Sequence, residues 1–224
     1  MKVMVVLAHP YEGSFCKGIK DSVIAHLEAR GAEVKVKDLS RMNFNATMVT
    51  EELEAIKTHV LTEEVQKEYD DLMWSDAVVT IAPVWFGMCP GFLKAYFDKI
   101  LVSGFGYNPK TGAGLMEGKR IYSVFTCGAG DPYLTVSNQF NTINYLWDNM
   151  FGMCGFSDVS TKFFQGVPYV SDEIRQYYLK QVNDYVDQIF DKKVGETGQL
   201  GFGAVLSQTA GVMSMKRREI YSKK

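Results

Sequence analysis

The sequence predicts an α/β domain: a doubly wound sheet of five parallel strands in the order 2-1-3-4-5, followed by a C-terminal arm. Three observations carry this. Short, almost wholly apolar runs such as 3–8 and 77–81 read as strands buried on both faces. Segments with apolar residues at helical spacing separate those runs. Glycine- and proline-rich turns follow strands one, three and four, at the carboxyl edge where open α/β sheets bind ligands.

Each element has its own signal. Lys2 to Ala8 is the first strand, and His9-Pro10 ends it. Ser14 suits a helix N-cap, and Phe15, Ile19, Val23 and Leu27 then recur at helical spacing up to Gly31. In 32–37, Val34 and Val36 alternate with charges, which fits a strand near the sheet edge. These forty residues form a β-α-β unit, and such crossovers are right-handed. Helix starts are predicted at Thr50-Glu51-Glu52 and Thr62-Glu63-Glu64, with acids in the first turn. His59 lies on the charged stretch between them and reads as a solvated surface histidine. Asp76 to Ile81 is the third strand, and Phe92 to Ile100 a helix. A glycine-rich loop runs from Gly104 to Gly118, Lys119 to Thr126 is the fourth strand, and Ser137 to Cys154 reads as a helix. Ser157 to Phe164 is the fifth strand. A long helix starts at Ser171-Asp172-Glu173 and carries the strongest periodicity in the chain. The pattern changes at Gly195. Residues 1–194 are therefore read as one domain, and 195–224 as an extension with a basic end that serves as a solvated terminus or an arm on a partner subunit.

Composition bounds the function. The 224 residues carry a net charge of −2 and 46% apolar side chains, which is enough for a full core and gives no bulk attraction to nucleic acid. No run reaches the ~18 apolar residues of a membrane span. Four scattered cysteines form neither a disulfide framework nor a zinc site, so no metal is expected and a cytoplasmic location is.

Three loops carry the chemistry. After the third strand, Ala82 to Gly91 holds two prolines and two glycines around Trp85 and Phe86. A rigid backbone bearing two aromatics suggests a platform for a flat ligand. His9 and Ser14 flank the first strand-to-helix turn, where a helix N-terminus offers free N–H groups to a phosphate; a loop histidine and an ordinary cap fit the same residues. After the fourth strand, Cys127-Gly128-Ala129-Gly130 lets backbone N–H groups approach a ligand closely. An aromatic wall beside a phosphate site suits a flavin.

The chain also resembles a known family. Ala8-His9-Pro10 with Ser14-Phe15, Pro83-Val84-Trp85-Phe86-Gly87 with Leu93-Lys94 and Phe97-Asp98, Gly104-Phe105-Gly106-Tyr107, and Thr126-Cys127-Gly128-Ala129 are similar to motifs of the NAD(P)H:quinone oxidoreductases. That flavodoxin-like group includes DT-diaphorase and the bacterial modulator-of-drug-activity proteins. The resemblance spans roughly residues 1 to 190. It implies an FAD-dependent homodimer that takes hydride from NADH or NADPH and passes two electrons to a quinone by a ping-pong route. It further implies that His9, Ser14, Phe15 and Cys16 surround the flavin phosphates. Pro83, Val84, Trp85, Phe86 and Gly87 would line the ring system, with Thr126, Cys127, Gly128, Ala129 and Tyr133 on its pyrimidine side. Asp98 and Arg175 would contact the distal part of FAD, and Tyr107 would cover the nicotinamide or quinone at the subunit interface. The family's acceptor-site histidine has no counterpart, since no histidine follows His59; Gln139 is the nearest polar candidate. Two further readings stand beside this one: an FMN-dependent azo- or nitroreductase, and a flavin-binding regulatory subunit of a potassium-efflux system.

Overall fold

Val3, Met4, Val5, Val6 and Leu7 are at most 1% exposed, because β1 (Lys2–Leu7) lies inside the sheet between β2 (Glu33–Asp38) and β3 (Ala77–Pro83). The structure is a computed structural model and describes residues 1–130 and 138–191. β4 (Arg120–Thr126) and β5 (Asp158–Phe164) complete five parallel strands in the order β2-β1-β3-β4-β5, as the sequence predicts. The helices are α1 (Phe15–Ala29), α2 (Thr50–Lys57), α3 (Glu63–Trp74), α4 (Gly91–Ile100), α5 (Gln139–Met153) and α6 (Asp172–Asp191). The expected helix start at Ser137 and the 195–224 extension lie outside the described residues.

Strand side chains alternate between faces, so β1 feeds two cores. Val3, Val5 and Leu7 pack with Ile19, Val23 and Leu27 of α1 and with Val182, Val186 and Ile189 of α6. Met4 and Val6 pack with Leu72 of α3, Tyr96 and Phe97 of α4, and Trp147 and Phe151 of α5. Polar groups pair within this second core: Ser123 Oγ receives hydrogen bonds from Thr80 Oγ1 at 2.8 Å and Trp147 Nε1 at 2.7 Å.

β2 is an edge strand, and its valines are not its buried row. Val36 is 43% exposed while Lys37 is 7% exposed. The Lys37 ammonium lies 2.8 Å from Glu68 and 2.5 Å from Asp71, both on α3. Tyr96 Oη also donates to Glu68, at 3.0 Å. Burial works against ionisation of Asp71, but hydrogen bonds from Lys35 and Lys37 outweigh it and hold that carboxyl below its ordinary range. Both glutamate and lysine are thus paired where isolated charges would be very costly.

Candidate functional site

The carboxyl ends of β1, β3 and β4 open into a cavity of about 830 Å³. Its base is the start of α1. Ser14 caps that helix, its Oγ accepting from Lys17 N–H at 3.2 Å. The amides of Phe15 and Cys16 occupy the first two helical positions, where no intrahelical acceptor exists. They meet the cavity together with the positive end of the helix dipole.

His9 leaves β1 at the cavity wall. Its Nδ1 accepts the Tyr11 N–H at 3.1 Å, which assigns the proton of the neutral ring to Nε2. Burial lowers the pKa of His9, so the ring stays neutral and offers an N–H donor. The Cys16 and Cys127 thiols are pushed up to about 12, in each case mainly by burial. They stay protonated near neutrality and are not nucleophiles. Cys16 Sγ instead shares a hydrogen bond with Thr126 Oγ1 at 3.2 Å. No described residue lining the cavity is acidic, and its charged group is Arg175. The Arg175 guanidinium is fixed by the Val167 carbonyl, at 3.2 and 3.3 Å, and by Asp172 at 2.6 Å.

The third wall is a tight turn. Trp85 and Met88 exchange backbone hydrogen bonds of 2.7 and 3.1 Å. Between them Phe86 and Gly87 have φ of 46° and 83°, the paired positive values of a type I′ turn. Glycine adopts this freely, whereas phenylalanine pays roughly 1–2 kcal/mol. Phe86 buries nothing in return, being fully exposed. Trp85 meets His9 edge-on at 6.1 Å and Phe92 at 6.4 Å.

Most of the expected contacts converge here. His9, Ser14, Phe15, Cys16, Pro83, Val84, Trp85, Thr126, Cys127, Gly128 and Arg175 all line the cavity. Phe86 and Gly87 stand on the adjoining turn, and Gln139 reaches it: a Cβ on Gly87 would come within 3.0 Å of the Gln139 amide nitrogen. Ala129 lies just beyond Gly128, and its carbonyl accepts the Gly166 N–H at 3.1 Å. Tyr133 is outside the described residues. Asp98 and Tyr107 do not line the cavity of their own chain. Asp98 is exposed on α4, ion-paired with Lys94. Tyr107 sits on the loop from the end of α4 to the start of β4, which places it at the opposite, amino-terminal edge of the sheet. Tyr11, Val167 and Pro168 line the cavity without having been expected to. The signal for the last two was the turn after the fifth strand, which reaches the same carboxyl edge.

A protein-family profile described as flavodoxin-like fold matches residues 1–189. The chain belongs to this family. It is similar to an uncharacterized NAD(P)H oxidoreductase of Haemophilus influenzae, 28% identical over 184 residues, 80% of this chain and 91% of that protein. It is also similar to the ribosyldihydronicotinamide dehydrogenase (quinone) of Mus musculus, 27% identical over 80% of this chain and 87% of the mouse protein. Its fold is shared by an NAD(P)H:quinone oxidoreductase from Methanothermobacter marburgensis, with a TM-score of 0.75 and 24% identity over 86% of this chain and 98% of that one. The resemblance read from the Pro-x-Trp-Phe-Gly block thus agrees with relatives found over most of the chain. Among the described residues, no helix is long and apolar enough to cross a membrane, and no three His, Cys, Asp or Glu side chains group as a metal site.

Proposed function

We propose that this flavodoxin-like protein is an FAD-dependent NAD(P)H:quinone oxidoreductase that works as a cytoplasmic homodimer. One observation carries the reading: a cavity with an aromatic wall, a helix N-terminus at its base and, among the described residues, no acidic lining. A flat phosphorylated cofactor needs those features, and an enzyme built on a side-chain nucleophile would not. The volume of about 830 Å³ is at the upper end of small-molecule sites, and Arg175 extends the polar lining, which favours FAD over FMN. The names of the bacterial and mouse relatives support NAD(P)H as donor and a quinone as acceptor.

When bound, the flavin would supply hydride acceptance from the nicotinamide and two-electron delivery to the quinone. This chain's own residues position and screen. The amides of Phe15 and Cys16 and the Nε2–H of His9 would hold phosphate oxygens, neutral donors that need no protonation step. Val84 and Trp85 would hold the ring plane and exclude water from one face. Donor and acceptor would occupy the other face in turn, which gives ping-pong kinetics. Tyr107 completes that face only if a second copy brings its amino-terminal edge to this cavity, and Asp98 reaches the cofactor in the same way. The homodimer is therefore part of the proposal.

The test is cofactor extraction followed by an acceptor panel. Purified protein should be yellow, release FAD on denaturation, bleach with NADH or NADPH under anaerobic conditions, and recolour with a quinone. Colourless protein that neither FAD nor FMN reconstitutes would end this reading. Release of FMN with azo-dye turnover would replace it.

A further inference from the structure

A second cleft, of about 230 Å³, opens beside the hairpin that carries Tyr107, and His59, Gly104, Asn108 and Lys110 line it. Its walls are held in place. Tyr107 bridges to Ser103 and to Gly114. Asn108 Oδ1 accepts the N–H groups of Lys110 at 2.9 Å and Thr111 at 3.3 Å. That use of the oxygen leaves the Asn108 side-chain NH₂ as a donor. His59 stands at φ 57°, a conformation that L residues resist, with its ring over Gly104. A Cβ on Gly104 would lie 2.7 Å from His59 Nδ1, so the ring fits only against glycine. Gly104 in turn donates to the Tyr107 carbonyl at 2.9 Å, so the segment after α2 that carries His59 meets the loop that carries Tyr107 and Lys110.

The chemistry of the cleft has one sign. A lysine, a histidine and an asparagine line it, and none of the described lining residues is acidic. Glu54, one helical turn before Thr58, is taken by Lys57 at 2.7 Å. Among the described residues, no ion pair engages Lys110 or His59. A lysine beside further N–H donors, with no carboxylate to satisfy it, suits a phosphate group.

We infer that this cleft holds a phosphate of the ADP half of the nicotinamide co-substrate, while Tyr107 covers the nicotinamide end. The inference rests on the function proposed above. It adds a donor-recognition element, on the same hairpin as Tyr107, that would be presented to the flavin cavity of the partner subunit. Lys110 supplies the charge, and His59 and Asn108 supply directional donors.

The experiment is a calorimetric titration of the full-length purified protein with ADP, nicotinamide mononucleotide or inorganic phosphate. It is repeated on Lys110→Ala and His59→Gln, two exposed positions whose replacement removes no core. The expected result is that Lys110→Ala weakens ADP about tenfold and His59→Gln several-fold. Nicotinamide mononucleotide should bind both variants as it binds the parent protein. In turnover, the KM for NAD(P)H should rise by the same factors, with a smaller change in kcat. ADP affinity that neither substitution alters would overturn the assignment. So would free phosphate binding as tightly as ADP, since that describes an anion site without nucleotide recognition. ADP carries no nicotinamide and needs no turnover. A protein that binds ADP here but fails the bleaching test therefore sinks the oxidoreductase reading alone, and one that bleaches but shows no Lys110 effect sinks this inference alone.

Discussion

Two regions of this molecule remove charge from bulk water, and they do so in opposite ways. Beneath β2, Lys37 is buried against Glu68 and Asp71, and Tyr96 closes the set. At the carboxyl edge, the cavity gathers helix amides, the His9 Nε2–H and Arg175 with no acid among its described lining residues. A buried group that is fully paired holds two elements together. Donors that converge without an acceptor are prepared for one that arrives from outside. The same contrast applies to strain, since Phe86 keeps a left-handed backbone and an exposed ring at the site, whereas the buried cluster shows no positive φ.

If this division is real, substitutions in the two regions should separate stability from ligand binding. The largest effect is expected from Lys37→Ala. It leaves Glu68 buried without its cation, while Asp71 keeps Lys35, and should cost about 3–5 kcal/mol in urea denaturation. The folded fraction should retain its flavin affinity; a parallel loss of affinity would mean the cluster also shapes the cavity. Next is Trp85→Ala. Trp85 is 43% exposed, so its removal should move the melting temperature little. Flavin affinity, followed by fluorescence quenching, should fall about tenfold, or ~1.4 kcal/mol. Equal losses of stability and binding would make Trp85 a core residue and erase the contrast.

Phe86→Gly is expected to act with the opposite sign on stability. It relieves the left-handed conformation without emptying a core site, so thermal unfolding should show a gain of about 0.5–1 kcal/mol, while quinone turnover falls. Loss of stability would show that the turn is not strained. The smallest effect concerns acid. The Asp71 carboxyl is held below its ordinary value of 3.8, so the folded state binds this proton less readily than the unfolded state. Its contribution is complete above pH 3.8 and is lost as pH falls below it. Asp71→Asn should be destabilised at neutral pH and show a shallower decline in that acid window. An unchanged slope would remove Asp71 from the pairing.

Much of the site was legible because it is local. Ser14 caps α1 from the residue before it, and the Trp85–Met88 turn is closed by its own backbone. Strand-to-helix turns in a parallel sheet must all emerge at one edge, so His9, Trp85 and Gly128 could be grouped before any distance was known, whereas Arg175 was expected there only from the family resemblance. Tyr11 was not legible: only the fold lays its ring over Gly13, two residues on, where a Cβ would stand 2.6 Å from the Tyr11 hydroxyl oxygen. Alternation in β2 marked an edge strand but could not say which row faces inward. That depended on two acids of α3, more than thirty residues away, being present to receive Lys37.

The sequence by itself therefore determined the five parallel strands, the helices between them and the edge at which ligand loops gather, because hydrophobic period, caps and turn residues act over a few residues. Only the tertiary structure decided that Lys37 is buried and Val36 is not, that Gln139 meets Gly87, and that Tyr107 lies at the far edge from its own chain's cavity. Those outcomes depend on which distant groups pack together, and packing is settled by pairing and close contact across elements rather than by the order of residues within one.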